Sequence, residues 1–205
     1  MADLPTVNKL AFGAKPTVLR CSRCGKFVDW EDARLQVVCG CRPHLDLPPV
    51  LVRDAEDRDR RIVVDLFQRD FGRMRLIAYG DEMHLDQADA IVAEMEGEIA
   101  GALAHREFQG ALHIIALATD PMWQRSGVGA YLVAEAELIA RRRSLPSVLV
   151  ATTNDNLPAL YFYQRRGYRI TEVLAGAVPE HFNEPASVGF AGIPIRDEIH
   201  LEKEV

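Results

Sequence analysis

No apolar run in this 205-residue sequence approaches the roughly 18 to 20 residues that a membrane helix needs. The first nine residues, Met1 to Lys9, lack the basic-then-apolar order of a secretory signal. These two absences predict a cytoplasmic protein without a membrane span. A surplus of positive charge is missing as well. The formal net charge of -6 argues against a general nucleic-acid ligand, because phosphate contacts draw on a basic surface. There is no internal repeat and no low-complexity tract. What is present, 48% hydrophobic and 26% charged residues, is the mix of a globular protein with a sizeable core.

The charge is unevenly spread. Residues 1–46 hold seven Lys/Arg and five Asp/Glu, a net of +2; the remainder holds 17 against 25, a net of -8. All four cysteines also fall in the first stretch. The shift marks two units, 1–46 and 50–205, joined at Asp46-Leu47-Pro48-Pro49, where the double proline stiffens the chain and stops any helix. In the first unit Cys21, Cys24, Cys39 and Cys41 are spaced C-x2-C-x14-C-x-C, with His44 close behind. Two close pairs suit a tetrahedral zinc ion, since each can present two sulfurs from one turn. Lys26 to Trp30 and Arg34 to Val38 alternate like two short strands between them. The segment resembles a zinc ribbon, except that its second pair is C-x-C, which leaves the fourth ligand open between Cys41 and His44. Disulfides, or four reduced structural cysteines, are the alternatives. Four protein ligands leave no open position for water, so the zinc expected here is structural.

In the second unit the periodicity predicts a short strand at 50–53 and a helix from Glu56 to about Met74. Strands follow at 88–96 and 98–109, joined by a turn at Glu96-Gly97-Glu98, and a buried strand at 112–118. Next come a helix from Gly127 to about Arg143, a strand at 147–151, a short helix at 157–166 stopped by Gly167, and a strand at 168–174. A long loop at 175–191 leads to a last strand at 195–202. The order implies an α/β domain with one mixed central sheet flanked by helices.

The most informative segment runs from Ile115 to Ala130. A buried strand enters a turn, and the turn opens a helix. From Gln124 to Ala130 there is no proline, so every amide can donate, and Gly127 and Gly129 remove side chains where a ligand must come close. The first N–H groups of a helix lack partners and carry the positive end of its dipole, which suits a pyrophosphate. Arg125 adds a charged donor. The segment is neither a Walker loop, since no Lys-Ser/Thr follows, nor the three-glycine dinucleotide fingerprint. Taken by itself, it fits a structural turn as well as a phosphate site.

A second segment, Asn156 to Tyr168, reads N-x-x-A-x-x-F-Y-x-x-x-G-Y. Together with Q-x-x-G-x-G at Gln124 to Gly129, it resembles the acetyl-coenzyme-A-dependent N-acetyltransferases of the GNAT superfamily, over about residues 50–205. The zinc-ribbon-like module lies outside that pattern. The resemblance implies that Gln124, Arg125, Ser126, Gly127, Val128, Gly129 and Ala130 hold the pyrophosphate through backbone amides. It implies that Leu117 and Thr119 pair their backbone with the pantetheine arm, that a splay between their strand and the strand at 147–153 admits it, that Asn156 contacts the cofactor, and that Tyr163 sits by the sulfur.

The reaction so implied moves an acetyl group by direct attack of a primary amine. It needs a proton for the leaving thiolate, and Tyr163, a phenol with an ordinary pKa near 10, is suited as general acid. A backbone N–H at Leu117 or Ala118 is placed to stabilise charge on the thioester oxygen. No cysteine lies in this unit, and none is needed. Some relatives carry a base five residues before the conserved asparagine, which here is Ala151. Others carry it at the position of His113, and histidine can serve near neutral pH. Its apolar neighbours Leu112 and Ile114 allow a packing role instead. Asn156 is also an N-cap by position. Glu94, Glu96 and Glu98 favour a cationic acceptor, and the 175–191 loop is a candidate cover for it. The acceptor, a small molecule or a protein amine, stays open, and a homodimer is compatible with the sequence. The competing reading is a non-catalytic acyl-coenzyme A sensor whose ribbon docks a protein or nucleic-acid partner.

Overall fold

A computed structural model describes residues 18–20, 27–29, 49–124, 126–182 and 187–205. The chain divides into two units, Met1–Pro48 and Pro49–Val205. In the first, β1 (Val18–Arg20) and β2 (Phe27–Asp29) form an antiparallel pair, with Val18 opposite Asp29. The strand expected at 26–30 thus has its partner before Cys21. The strand expected at 34–38, and the zinc site expected on Cys21, Cys24, Cys39 and Cys41 or His44, lie outside the described residues.

The second unit is built on a seven-stranded sheet. Its strands are β3 (Leu51–Asp54), β6 (Asp89–Met95), β7 (Glu98–Phe108), β8 (Ala111–Thr119), β9 (Ser147–Thr153), β10 (Arg169–Leu174) and β11 (Glu198–Glu204), and a separate hairpin pairs β4 (Arg75–Ala78) with β5 (Asp81–His84). The spatial order is β10-β11-β9-β8-β7-β6-β3. All pairings are antiparallel except β8 with β9. That one parallel step is made through α2 (Val128–Arg142), because a parallel neighbour must be reached by a crossover. The mixed sheet expected from the element order is the one observed.

Helices cover both faces. α1 (Arg60–Phe71) buries Val63, Leu66 and Phe67 against a row of small residues, Ala102, Ala104, Ala116 and Ala118. Each large side chain so buried contributes about 1.5–3 kcal/mol. On the opposite face Leu132, Val133 and Ala136 of α2 and Tyr163 of α3 (Leu157–Gln164) pack with Leu103, Leu112, Ile114, Val148 and Val150. α1 is shorter than its periodicity predicts. At its start the Asp59 carboxylate accepts from the Glu56 backbone and from both terminal nitrogens of Arg53, and this turns residues 57–59 into a 3-10 turn. At its end Gly72, at φ 68°, closes the helix with its N–H on the Gln68 carbonyl.

The β4–β5 hairpin is absent from the sequence reading. Its turn is Tyr79-Gly80, both residues at positive φ (57° and 70°), the geometry of a two-residue hairpin turn. The same X-Gly geometry recurs at the expected Glu96-Gly97 turn. A tyrosine in the first position is what hides the β4–β5 turn, since Asn and Asp are the usual signal. The loop expected at 175–191 contains a further helix, α4 (Ala177–Phe182). No helix among the described residues is long and apolar enough to cross a membrane.

Candidate active site

β8 and β9 pair at only three positions, Leu112 with Val148, His113 with Leu149 and Ile114 with Val150. Past Ile114 they run on to Thr119 and Thr153 without a ladder between them. A bulge in β8 at the level of Ala104/His105 starts the divergence. β8 meanwhile stays paired to β7 as far as Gly101 opposite Thr119, so its other edge is open toward β9.

Strand alternation decides which groups face that opening. The Asp120 N–H bonds the Ala100 carbonyl. In an antiparallel ladder bonded pairs alternate, so Ala118 also bonds across to β7, while Leu117 and Thr119 direct N–H and C=O toward the splay. These are the two residues to which the resemblance assigns the pantetheine arm. It removes Ala118 as a donor to the thioester oxygen, because its amide is spent in the sheet and its side chain is buried. The Thr119 carbonyl already accepts from Arg69 Nη2 at 3.0 Å, so the N–H is the group that Thr119 keeps available.

At the end of β8 the chain turns. Asp120 caps a 3-10 turn at Pro121–Trp123 by accepting from the Met122 N–H at 2.9 Å. The Ser126 hydroxyl and N–H both donate to the Trp123 carbonyl. Gly127, at φ 95° and ψ -4°, is the N-cap of α2, and its carbonyl accepts from Ala130 (2.8 Å) and Tyr131 (3.2 Å). A left-handed N-cap costs any residue with a Cβ, which is why glycine stands there. Two of the seven expected pyrophosphate amides, Ser126 and Ala130, therefore have internal partners. Those of Val128 and Gly129, the first two of the helix, have no acceptor among the described residues. Gln124 is exposed at the start of the turn, and Arg125 lies outside the described residues. Gly129 has a different reason to be glycine: a Cβ there would meet the Phe162 ring at 3.4 Å and Leu117 at 3.7 Å. Phe162 lies between this helix start and the Arg166 guanidinium, which is 3.6 Å from its centroid.

α3 begins at Asn156, whose side chain accepts from the Ala159 N–H at 3.2 Å, with Pro158 in its first turn. The capping role is met, and the side-chain amide N–H groups remain to contact a ligand. Tyr163 on this helix is 4% exposed, edge-on to Phe162 (5.1 Å) and Tyr168 (5.3 Å). Burial pushes its phenol well above the ordinary tyrosine range, so it stays protonated throughout the neutral range.

On the other face of the sheet lies a polar and aromatic cluster. His113 is 2% exposed. Its ring packs edge-on against Tyr79 (4.5 Å) and Phe108 (5.5 Å). Burial, and then the Arg106 charge, lower its pKa, against a hydrogen bond to the Phe108 backbone. Nδ1 is buried without a partner. The nitrogen bonded to Phe108 is thus Nε2, and Nδ1 keeps its lone pair in a neutral ring. Arg106 is itself held by Asp81. Tyr79 also stacks on His200 (4.1 Å, 29° between planes), and its hydroxyl is buried without a partner. Burial first, then the Glu198, Glu202 and Tyr163 charges, push that hydroxyl up in pKa. His200 sits between two carboxylates, with Nε2 2.5 Å from Glu198 and Nδ1 3.1 Å from Glu172. Glu198 also accepts the Tyr79 N–H at 2.9 Å.

Tyr79, Glu198 and His200 were not found from sequence. The signal was there in Glu198-Ile199-His200-Leu201-Glu202, which alternates polar and apolar along a strand, but nothing local says what faces it. Two other expectations change. Glu94 is held by Arg53, which also bonds Asp59, so Glu94 is committed to joining β6 to the start of α1. The 187–197 segment is fastened to the end of β9: Asp155 accepts the Phe190 N–H, and Asn154 accepts those of Arg196 and Asp197. A cleft of about 600 Å³, lined by Asp54, Asp89, His105 and Arg143 among others, lies by the C-terminal end of α2. That is about 22 Å along the helix from the turn, so the cleft is no part of this site. Among the described residues no group of three or more His, Cys, Asp or Glu could hold a metal.

A family model described as "Acetyltransferase (GNAT) family" matches residues 56–168. An uncharacterised protein of Bacillus subtilis, YxbD, is 30% identical over 148 residues, 70% of this chain and 92% of the relative. Mycothiol acetyltransferase of Thermobifida fusca is 36% identical over 73 residues, 35% of this chain and 22% of the relative. Among solved structures, a Bacillus subtilis acetyltransferase in complex with CoA superposes with TM-score 0.64 at 20% identity, covering 77% of this chain and 99% of that one. A GNAT family acetyltransferase of Elizabethkingia anophelis with acetyl-CoA bound gives 0.62 at 21% identity, covering 76% and 98%.

Proposed function

The chain belongs to the acetyltransferase (GNAT) family, and from that membership we propose that it transfers an acetyl group from acetyl-coenzyme A to a primary amine by direct attack. The observation that carries this reading is the conjunction at the splay. An open strand edge at Leu117 and Thr119 runs into a helix start whose Val128 and Gly129 amides have no acceptor among the described residues, beside a buried phenol. The coenzyme supplies the acyl group as a thioester. The turn at 124–130 binds its pyrophosphate by main-chain N–H groups and the helix dipole, Leu117 and Thr119 align the arm, and Asn156 adds a side-chain amide donor. Tyr163 donates a proton to the departing thiolate. Its raised pKa keeps it protonated, and a burial this deep excludes the water that would compete. The Leu117 N–H points into the splay, where it can meet charge on the acyl oxygen. His113, neutral and with Nδ1 unpartnered, accepts a proton from the attacking nitrogen.

The amino-terminal cysteines carry a separate proposal: Cys21, Cys24, Cys39 and Cys41 bind one structural zinc ion, the chemistry that four thiolates in two close pairs support. Metal analysis of wild type and of a Cys21→Ser/Cys24→Ser variant tests it, and a zinc-free wild type overturns it. The acetyl-transfer reading is tested by calorimetry with acetyl-coenzyme A, then by coenzyme A release against a panel of amines. Binding and turnover are expected. Absence of binding rejects the reading, and tight binding without turnover of any amine replaces it with an acyl-coenzyme A sensor.

A further inference from the structure

An ammonium acceptor loses two protons from nitrogen when it becomes an amide, and the leaving thiolate gains only one. One proton per turnover must therefore reach water from a buried site. We propose that Glu198, His200 and Glu172 form that exit, with Glu198 taking the first proton of the acceptor ammonium and His200 passing it to Glu172 at the surface. The inference rests on the acetyl-transfer reading.

Three features carry it. The first is the gradient of exposure along the chain of groups. The Glu198 side chain is 4% exposed, that of His200 7% and that of Glu172 56%. The imidazole bonds one carboxylate through each nitrogen, so it can receive a proton on Nε2 as it gives one up from Nδ1. The second is position. β11 pairs with β9 so that His200 lies opposite Ala151 and Glu198 opposite Thr153. Val150 is the last β9 residue paired to β8, so Glu198 and His200 lie abreast of the point where the splay opens. The third is the ring that spans them. Tyr79 touches His200 and His113 at 4.1 and 4.5 Å, and those side chains stand on strands to either side of β9. Strands are about 4.8 Å apart, so the Tyr79 ring lies over β9, at the level where Ala151 has no bulk to displace it. A larger residue at 151 would close this space. The base missing at 151 is thus answered from the neighbouring strand.

In the step, an N–H bond of the ammonium breaks and an O–H bond forms on Glu198. That proton moves to His200 Nε2 while the Nδ1 proton moves to Glu172, which releases it to water. No electrons are exchanged. The neutral amine then attacks; its second proton goes to His113, Tyr163 gives one to the thiolate, and transfer of the His113 proton to the tyrosinate restores both groups. The charged and titratable groups around the relay are Tyr79 from the β4–β5 turn, His113 from β8 with Arg106 beyond it, and Glu202 on β11 itself.

The test compares two acceptors: the amine turned over fastest in the panel, and its β,β,β-trifluorinated analogue, which arrives neutral and so releases no net proton. Glu172→Gln is expected to lower kcat about 10-fold and His200→Gln about 10²-fold for the ammonium. The fluorinated amine should stay within about twofold of wild type, and raising the buffer concentration should restore the ammonium rate of Glu172→Gln, because buffer takes the place of the surface carboxylate. Acetyl-coenzyme A affinity is the control for folding, and the exposed Glu172 provides a variant that leaves the core untouched. Equal losses for both acceptors, or no loss in either variant, overturn the proposal. If wild type binds no acetyl-coenzyme A or acetylates no amine, the acetyl-transfer reading fails and the exit falls with it. Turnover with unaffected variants removes the exit alone.

Discussion

The turn at the head of α2 and the cluster around Tyr79 serve one splay and are built by opposite means. The turn uses main-chain amides of adjacent residues, glycines and a helix end, and among its described residues it contains no titratable side chain. The cluster uses side chains from the β4–β5 turn, β8, β10 and β11, far apart in sequence, and nearly every member is an acid, a histidine or a phenol. A turn of that kind tolerates pH and fails by sterics. A cluster of that kind depends on packing too, and fails by protonation as well as by sterics.

Tyr163 adjoins both, through Phe162 to Gly129 and through the electrostatic coupling of its phenol with that of Tyr79. Tyr163→Phe should lower kcat about 10²- to 10⁴-fold and leave acetyl-coenzyme A affinity near wild type, as read by coenzyme A release and calorimetry. Loss of affinity instead would mean that the phenol supports the turn. His113→Phe separates chemistry from packing within the cluster. If His113 is the base, activity falls about 10²-fold, while stability changes by no more than about 1 kcal/mol, because removal of the unpartnered Nδ1 offsets loss of the hydrogen bond to the Phe108 backbone. Unchanged turnover would make His113 a packing residue. The turn is broken by Gly127→Ala, which forces a Cβ into a left-handed N-cap at φ 95° and should cost about 1–2 kcal/mol in chemical denaturation. A neutral result would show that the turn can relax to another conformation.

The contrast in pH response gives a smaller effect. Burial lowers the pKa of both His113 and His105 below the ordinary value of about 6.5. The unfolded chain then binds more protons than the folded one, so their contribution to stability is full above about pH 6.5 and is lost as pH falls through the depressed folded values. Urea midpoints should drop between pH 7.5 and pH 5, and His113→Phe should flatten part of that slope. A flat wild-type profile would contradict the assigned burial. The smallest change is expected from Tyr79→Phe, which deletes a buried hydroxyl without a partner and should shift stability by less than about 1 kcal/mol.

Most of the fold was legible because its elements are locally encoded. The 3.6-residue pattern of Val128, Leu132, Val133, Ala136 and Ile139 sets α2, and the apolar run that follows the Glu96-Gly97 turn sets β7. The β4–β5 hairpin was not legible, because Tyr79-Gly80 takes a left-handed pair that a tyrosine does not advertise. α4 was not either, because six residues give too short a period to read. In the site, the reading stopped where backbone direction mattered. That Ala118 bonds to β7 and Leu117 does not follows from ladder register, which residue types do not reveal.

The sequence by itself determined the strand-turn-helix that opens at Gly127, the helix that carries Tyr163, and with them the family, since each depends on residues within a few positions of one another. Only the tertiary structure decided which carboxylates meet His200, what stacks on it, and why Ala151 is small. Those contacts join positions 79, 113, 172, 198 and 200 through strand order and register, and a pairing between distant segments is fixed by how the whole sheet closes rather than by any stretch of chain.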